Sequence, residues 1–194
     1  MAEIILDCDG VLFDWETAFA EWLLETHSIC TGGTEPKEWD LSKWINCSPE
    51  DTMRFVHDFN GSEAFGKLPV FPEAQIAVKK MASVGHRLHV ITSCGVTWPI
   101  KSRRELNLKR AFGDIFSSIT CLALGADKSP YLEALPRGIY VEDNSDHGVR
   151  GTFCGHKTFV LRRSHNRANE LVMGSAPMVI WTDDWAPILE AALV

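Results

Sequence analysis

The sequence lacks a membrane-spanning segment and the cysteine spacing of a zinc site. No apolar stretch approaches the roughly 20 residues that a membrane-spanning helix needs. The six cysteines are Cys8, Cys30, Cys47, Cys94, Cys121 and Cys154. No two of them form a CxxC pair, so a zinc site is a weak alternative to reduced, partly buried thiols. Such thiols are typical of cytosolic proteins.

Excess basic charge and targeting signals are also missing. The formal net charge of −7 disfavours a broad nucleic-acid-binding face. No basic region precedes the N-terminal hydrophobic run, and Asp7 interrupts that run, so we expect no secretory signal. A transit peptide, a repeat or a low-complexity segment is not found either. The 194 residues thus predict a cytoplasmic globular protein with one core and a small subdomain.

The most informative segment covers residues 4–12, Ile-Ile-Leu-Asp-Cys-Asp-Gly-Val-Leu. Its apolar start predicts a buried strand over residues 3–8, followed by a glycine turn. Asp7 and Asp9 lie two positions apart where this strand ends, so their side chains can converge on one spot. Like charges held that close are unfavourable unless a cation lies between them. The segment therefore predicts a site for a hard divalent cation such as Mg²⁺.

Strands alternate with helices along the rest of the chain, which is typical of a mainly parallel sheet with helices on both faces. The further predicted strands cover residues 87–92, 115–120, 138–141 and 158–161. Thr92 and Ser93 come at the end of the second strand, and Glu142 and Asp143 follow the fourth. Ligands of such sheets bind at the carboxyl ends of the strands, so three strands indicate one site.

The residue types at these strand ends suit phosphoryl transfer. A carboxylate can attack a phosphoryl group once a metal offsets the repulsion between the two anions. A second carboxylic acid can protonate the leaving oxygen and then deprotonate the hydrolytic water. Hydroxyl groups can hold phosphoryl oxygens, and a lysine can neutralise the charge that builds up during transfer. Lys128, just before a predicted helix, offers that lysine.

Four separated pieces of sequence together resemble the haloacid dehalogenase (HAD) superfamily of phosphohydrolases. They are Asp7-x-Asp9-Gly10-Val11-Leu12, the strand ending in Thr92, Lys128, and the strand ending in Glu142-Asp143. The resemblance implies an α/β fold: an HAD-like Rossmannoid core with a small helical cap inserted after the first strand. Residues 1–14 and 67–194 would form the core domain, and residues 15–66 would form the cap.

Within that superfamily the chain is similar to the 5'(3')-deoxyribonucleotidases. The likeness rests on residues 65–83, residues 142–146, the pair His165-Asn166 and residues 181–189. The chain departs from that family's pattern at Cys94-Gly95 and Ser145, where proline is usual, and at Glu142, where aspartate is usual. These departures concern the substrate more than the chemistry.

Carried over by position, the resemblance assigns a role to each residue of the site. Asp7 would be the nucleophile and Asp9 the general acid/base. Mg²⁺ would be held by Asp7, by the backbone carbonyl of Asp9 and by Asp143. The phosphate-binding residues would be Thr92, Ser93, Lys128, Cys8 and Gly10. Glu142 and Asp146 would lie just outside these groups.

Aromatic residues crowd into the segment that the resemblance identifies as the cap. They include Trp15, Phe19, Trp22, Trp39, Trp44, Phe55, Phe59 and Phe65. We expect most of these side chains to form the core of the small helical subdomain. Trp15 and Phe19, close behind the catalytic loop, are the candidates for contact with substrate, since aromatic rings there could stack on a nucleobase.

Other charged residues are expected to be solvated. They are Lys101, Arg103, Arg104, Lys109 and Arg110 of a helix predicted over residues 98–111, Arg162 and Arg163, and His147 and His165. Asp183 is expected to cap the last helix, which Trp181 and Trp185 would pack against the core.

The sequence therefore predicts a Mg²⁺-dependent phosphatase that hydrolyses nucleoside monophosphates through an aspartyl-phosphate intermediate. A second hypothesis keeps this chemistry but changes the substrate to a sugar phosphate or a nucleic-acid 3'-phosphate end, of which the acidity of the chain disfavours the latter. A third is a catalytically silent binding protein on the same fold, which the intact pair of Asp7 and Asp9 disfavours. No membrane partner is expected, and a homodimer is left open.

Overall fold

A computed structural model describes residues 1–173 and 179–193, in which six parallel strands form one sheet of order β3-β2-β1-β4-β5-β6. The strands are β1 Glu3–Leu6, β2 Arg87–Thr92, β3 Phe116–Cys121, β4 Ile139–Glu142, β5 Lys157–Leu161 and β6 Ile180–Thr182. The α-helices are α1 Trp15–His27, α2 Leu41–Ile45, α3 Pro49–Asn60, α4 Pro72–Ser83, α5 Trp98–Phe112, α6 Ser129–Glu133, α7 Ser145–Phe153, α8 Arg167–Met173 and α9 Ala186–Leu193. A single 3₁₀ turn covers Phe65–Lys67.

The predicted α/β class with a parallel sheet is confirmed. β1 lies inside the sheet between β2 and β4, and all four of its residues are buried. β2 is buried at five of its six positions. Strands covered on both faces read as continuous apolar runs, which is why the sequence pattern located them.

The predicted elements differ from the structure in three places. β1 ends at Leu6, so residues 7–9 lie in the loop beyond it rather than in the strand. β6 was not predicted, because it has only three residues, although two of them, Ile180 and Trp181, are apolar. At the last helix, the Asp184 carboxylate accepts from the backbone N–H of Ala186, whereas Asp183 pairs with Arg162, so the predicted cap was wrong by one residue.

Three helices, α1 to α3, lie between β1 and β2 and share an aromatic core. The Phe19 ring is fully buried, with its centroid 5.3 Å from that of Phe59 and 6.2 Å from that of Trp22. α1 and α3 each begin at a side-chain cap: Asp14 accepts from the N–H of Thr17, and Ser48 accepts from that of Asp51. None of the helices in the described ranges combines the length and apolar character that crossing a membrane requires.

Candidate active site

A tight turn after β1 brings two acidic residues to the carboxyl edge of the sheet. The N–H of Asp7 still donates to the carbonyl of Val141 in β4, at 3.0 Å. The carbonyl of Cys8 then accepts from the N–H groups of Leu12 and Phe13, at 2.7 and 2.9 Å, which folds the chain back at once. Asp7 and Asp9 therefore lie on a rigid loop whose backbone hydrogen bonds are made locally.

Gly10 is required in this loop for two reasons. Its φ of +72° lies in the left-handed region that side chains disfavour. A Cβ at this position would also lie 1.9 Å from Oδ2 of Asp143, well inside van der Waals contact. The glycine thus permits the end of β1 and the end of β4 to approach each other.

A buried lysine connects two of the carboxylates. Lys128 Nζ lies 2.9 Å from Oδ1 of Asp7 and 3.1 Å from Oε1 of Glu142, and its side chain is 1% exposed. Burial opposes the charge on Lys128, but the two carboxylates outweigh it and hold its pKa well above the usual range. The ammonium group is therefore charged at the bottom of the site.

Three carboxylates form a group with the geometry of a metal site. Asp7, Glu142 and Asp143 each offer one oxygen, and these oxygens lie within 4.8 Å of one another. All three residues are buried, and burial together with the charge of Asp7 raises the pKa of Glu142 although Lys128 opposes the shift. Carboxylate oxygens are the ligands that a hard divalent cation prefers, so this oxygen-rich group fits such an ion.

Two hydroxyl groups complete this face of the site. Thr92 ends β2 and Ser93 follows it, and neither hydroxyl oxygen has a hydrogen-bond partner among the described residues, although both are buried. Buried hydroxyl groups are normally satisfied, so an unpaired pair lining a cavity is suited to an incoming acceptor. A phosphoryl group supplies such acceptor oxygens.

The prediction that Arg104 is solvated was wrong. Its side chain is completely buried, and Nη2 donates to Oδ1 and Oδ2 of Asp9 at 2.6 and 2.5 Å. Burial raises the pKa of Asp9 to about 6, against the opposing attraction of Arg104. Asp9 is thus held apart from the three-carboxylate group and has an acidity suited to exchanging protons near neutral pH.

The prediction that His165 lies at the surface was also wrong. Its buried ring lies between two acids, with Nε2 3.0 Å from Oδ2 of Asp143 and Nδ1 2.5 Å from Oε1 of Glu16. Burial disfavours the charged ring, but the hydrogen bonds to Asp143 and Glu16 outweigh burial and raise the pKa of His165 to about 9. The Trp39 ring packs edge-on against it, with centroids 4.4 Å apart.

Three other residues also differ from their predicted solvated state: Arg162 and Arg163, which follow β5, and His147. Arg163 is half-buried: its Nε donates to the carbonyl of Gly10 at 2.6 Å, and its guanidinium lies 4.4 Å from the centre of the Phe71 ring. Arg162 is paired with Glu170 and Asp183. His147 is half-buried and lines the site cavity.

The carboxylates, the lysine and the hydroxyl groups surround one cavity of about 270 Å³. Among the sequence candidates, its lining includes Asp7, Asp9, Gly10, Trp15, Thr92, Ser93, Lys128, Glu142 and Asp143. Phe19 and Cys8 are fully buried and are not part of this lining, and Asp146 is exposed outside it. Glu16, Glu38, Trp39 and Leu41, which the sequence did not indicate, complete the wall on the side of the inserted helices.

Comparison with known proteins identifies the fold. No family model and no curated protein matches the sequence. Solved structures do match over nearly the whole chain, among them a haloacid dehalogenase-like hydrolase from Streptococcus pneumoniae (TM-score 0.67, 13% identity, 98% of this chain and 97% of that one). Another is a predicted phosphatase from Clostridium acetobutylicum (TM-score 0.68, 14% identity, 99% of this chain and 98% of that one).

A third match has bound ligands. It is the D,D-heptose 1,7-bisphosphate phosphatase from B. bronchiseptica, complexed with magnesium and phosphate (TM-score 0.59, 15% identity, 100% of this chain and 98% of that one). Together these structures show that the chain has the HAD-like fold that its four sequence pieces indicated.

Replacing Gly10 tests the close approach of the two strand ends. Gly33 is a matched control, because it also has a positive φ of +69° but nothing lies within 4 Å of a Cβ there. We expect Gly10→Ala to lose about 1–3 kcal/mol more unfolding free energy than Gly33→Ala in urea titrations, because only the former overlaps Asp143. Equal losses would contradict the packing described here.

The charge on His165 should make the unfolding free energy depend on pH, measured in metal-free buffer with chelator. Its folded pKa of about 9 lies above the ordinary value of 6.5. The stabilisation is therefore fully present below pH 6.5 and is lost as the pH rises through about 9. The loss of unfolding free energy in His165→Gln should be largest below pH 6.5 and shrink towards pH 9.

His147→Gln is the control, because burial and the charge of Lys128 lower the pKa of His147. Removing His147 should not produce a penalty that grows towards low pH. A pH-independent penalty in His165→Gln would show that the His165 ring is uncharged in the folded protein.

Proposed function

We propose that this chain is a Mg²⁺-dependent phosphatase that hydrolyses nucleoside monophosphates through a phosphorylated Asp7. One observation carries the proposal: the charged Lys128 and the unpaired hydroxyl groups of Thr92 and Ser93 surround Asp7 in a single cavity. This combination offers an anionic nucleophile and three donors for the oxygens of a phosphoryl group. The sheet order places all of these groups at the carboxyl edge, where ligands of such folds bind.

In the first step, a carboxylate oxygen of Asp7 attacks phosphorus, and the bond between phosphorus and the leaving-group oxygen breaks. Asp9 transfers its proton to that oxygen, so the product leaves as a neutral alcohol. Lys128, Thr92 and Ser93 hold the phosphoryl oxygens while charge builds up on them.

In the second step, water attacks phosphorus and Asp9 takes up one of its protons. The bond between phosphorus and Asp7 breaks, which regenerates the Asp7 carboxylate and releases inorganic phosphate. Asp9 ends the cycle protonated, as it began. Its pKa of about 6 lets it act in both directions without a large cost at either step.

The three-carboxylate group supports the assignment of Mg²⁺. Asp7, Asp143 and the backbone carbonyl of Asp9 are the groups we propose to hold it, and Glu142 stays paired with Lys128. When bound, the cation supplies positive charge that offsets repulsion between the nucleophile and the phosphoryl group. In this proposal Gly10 keeps the ligand-bearing ends of β1 and β4 close enough for the site to form.

The wall on the side of α1 to α3 supports an uncharged leaving group with a flat apolar face. Trp15, Trp39 and Leu41 contribute apolar surface there, and Glu16 and Glu38 contribute acceptors. A nucleoside meets both requirements, because it has a flat base and several hydrogen-bond donors. We propose residues 15–66 as the cap over this site and residues 1–14 and 67–194 as the core domain.

A sugar phosphate is the second candidate substrate. The likeness to a D,D-heptose 1,7-bisphosphate phosphatase favours it. The acceptors on the cavity wall would also suit the hydroxyl groups of a sugar. The two candidates share the chemistry at Asp7 and differ only in what contacts Trp15 and Trp39.

A phosphate-release screen over nucleoside monophosphates, sugar phosphates and 3'-phosphorylated oligonucleotides tests the function. We expect release from nucleotides with Mg²⁺ and none with chelator. Asp7→Asn should lower the rate by at least about a thousandfold, because the nucleophile is lost. Asp114→Asn is the control, since that carboxylate is exposed, precedes β3 and pairs only with Lys109 among the described residues.

Each outcome of the screen has a distinct meaning. Release that persists with chelator, or in Asp7→Asn, would overturn the mechanism. Release from sugar phosphates alone would replace the first substrate class by the second. Binding of nucleotides without any turnover would favour a binding protein on this fold.

A further inference from the structure

Arg104 is a buried cation that takes no direct part in the proposed transfer steps. It lies in the middle of α5, where its neighbours Lys101 and Glu105 are exposed, yet its own side chain has no exposed surface. Burying an arginine is costly unless the charge is paired. Among the described residues, Asp9 is the one acid within ion-pair distance of this guanidinium.

Two aromatic rings fix the position of the guanidinium. Its central carbon lies 4.4 Å from the centre of the Phe65 ring and 5.7 Å from that of Phe13. Phe65 is itself tied to α5, because Nδ2 of Asn107 donates to its carbonyl at 3.1 Å. The guanidinium therefore has little freedom to move, and neither does the carboxylate that it contacts.

The contact also sets the direction in which Asp9 faces. A single nitrogen, Nη2, contacts both carboxylate oxygens, at 2.6 and 2.5 Å. The carboxylate thus contacts α5 and is not one of the group formed by Asp7, Glu142 and Asp143, whose oxygens lie within 4.8 Å of one another. It still lines the cavity and keeps 28% of its side-chain surface exposed.

We propose that Arg104 is a positioning residue for Asp9, holding the carboxyl group where it can exchange a proton with the leaving oxygen but cannot join the metal site. The inference rests on the proposed phosphatase function. It adds a residue that touches neither substrate nor metal and acts through Asp9. Without this contact Asp9 is free to turn towards the cation, where it would act as a ligand instead of an acid.

The leaving group provides the test. A nucleoside is a poor leaving group that needs a proton, whereas the nitrophenolate of p-nitrophenyl phosphate leaves without one. We expect Arg104→Met to lower kcat/KM for the nucleotide by about 100-fold or more, the range of general acid catalysis. The value for p-nitrophenyl phosphate should change by less than about fivefold, because this parameter covers only the steps up to the release of the leaving group.

A second readout separates the two steps of the cycle. Because Asp9 also activates the water, Arg104→Met should release a burst of nitrophenolate, about one per active site, followed by slow turnover. A loss of packing alone would lower kcat/KM for both substrates in the same proportion and would give no burst of nitrophenolate. Such a proportional loss would overturn the inference while leaving the phosphatase function intact.

Three further variants keep the test decisive. Arg104→Lys preserves the buried charge but replaces the planar guanidinium, which the rings of Phe65 and Phe13 hold, by a shorter and more flexible ammonium, so we expect the same selective loss. The Asp9→Asn variant has no carboxylate charge that the loss of Arg104 could leave unpaired. In that background, adding Arg104→Met should not lower kcat/KM further for either substrate. Arg103→Met, at the half-buried neighbour on α5, is the control and should preserve the wild-type ratio of the two substrates.

A failure of the parent hypothesis looks different. If the wild-type chain hydrolyses neither substrate with Mg²⁺, the proposed function fails and the inference with it. If the wild-type chain is active and an additional loss from Arg104→Met appears in the Asp9→Asn background, Arg104 does not act through Asp9.

Discussion

The ion pair between Lys128 and Asp7 is the interaction on which the rest of the site depends. It brings a charged ammonium group 2.9 Å from the carboxylate at the end of β1, in a place where both are buried. Charges in such a place are stable only if others balance them. Glu142 shares the same ammonium group, and the turn at Gly10 lets Asp143 lie close to the end of β1.

The acids of the site differ in environment because each has its own partner. Asp7 contacts Lys128, Asp9 contacts Arg104, and Asp143 contacts His165. In the proposed mechanism these environments separate Asp7, the attacking group, from Asp9, whose pKa of about 6 suits proton transfer. His165 also joins Asp143 to Glu16 at the start of α1, so the carboxyl edge of the sheet and the inserted helices share one contact.

The sequence sufficed for features that local pattern encodes. The apolar runs before Asp7, Thr92 and Glu142 located three strands, and parallel topology then brought their ends together. Arg104 was missed because charge alone was taken to mean exposure, although it lies at helical spacing between Ile100 and Leu108, both buried. That spacing was the available signal. For His165 the family resemblance of the pair His165-Asn166 was the available signal. Local pattern offered none, since His165 follows β5 in a loop and its partner Glu16 is 149 residues away.

The most direct test of the account is to find where the phosphoryl group resides during turnover. The enzyme would be mixed with substrate and Mg²⁺, quenched in acid within a turnover, digested and analysed by peptide mass spectrometry. We predict one added phosphoryl group on the peptide that contains Asp7, formed and lost at rates compatible with turnover. A phosphoryl group on any other peptide during turnover would contradict it.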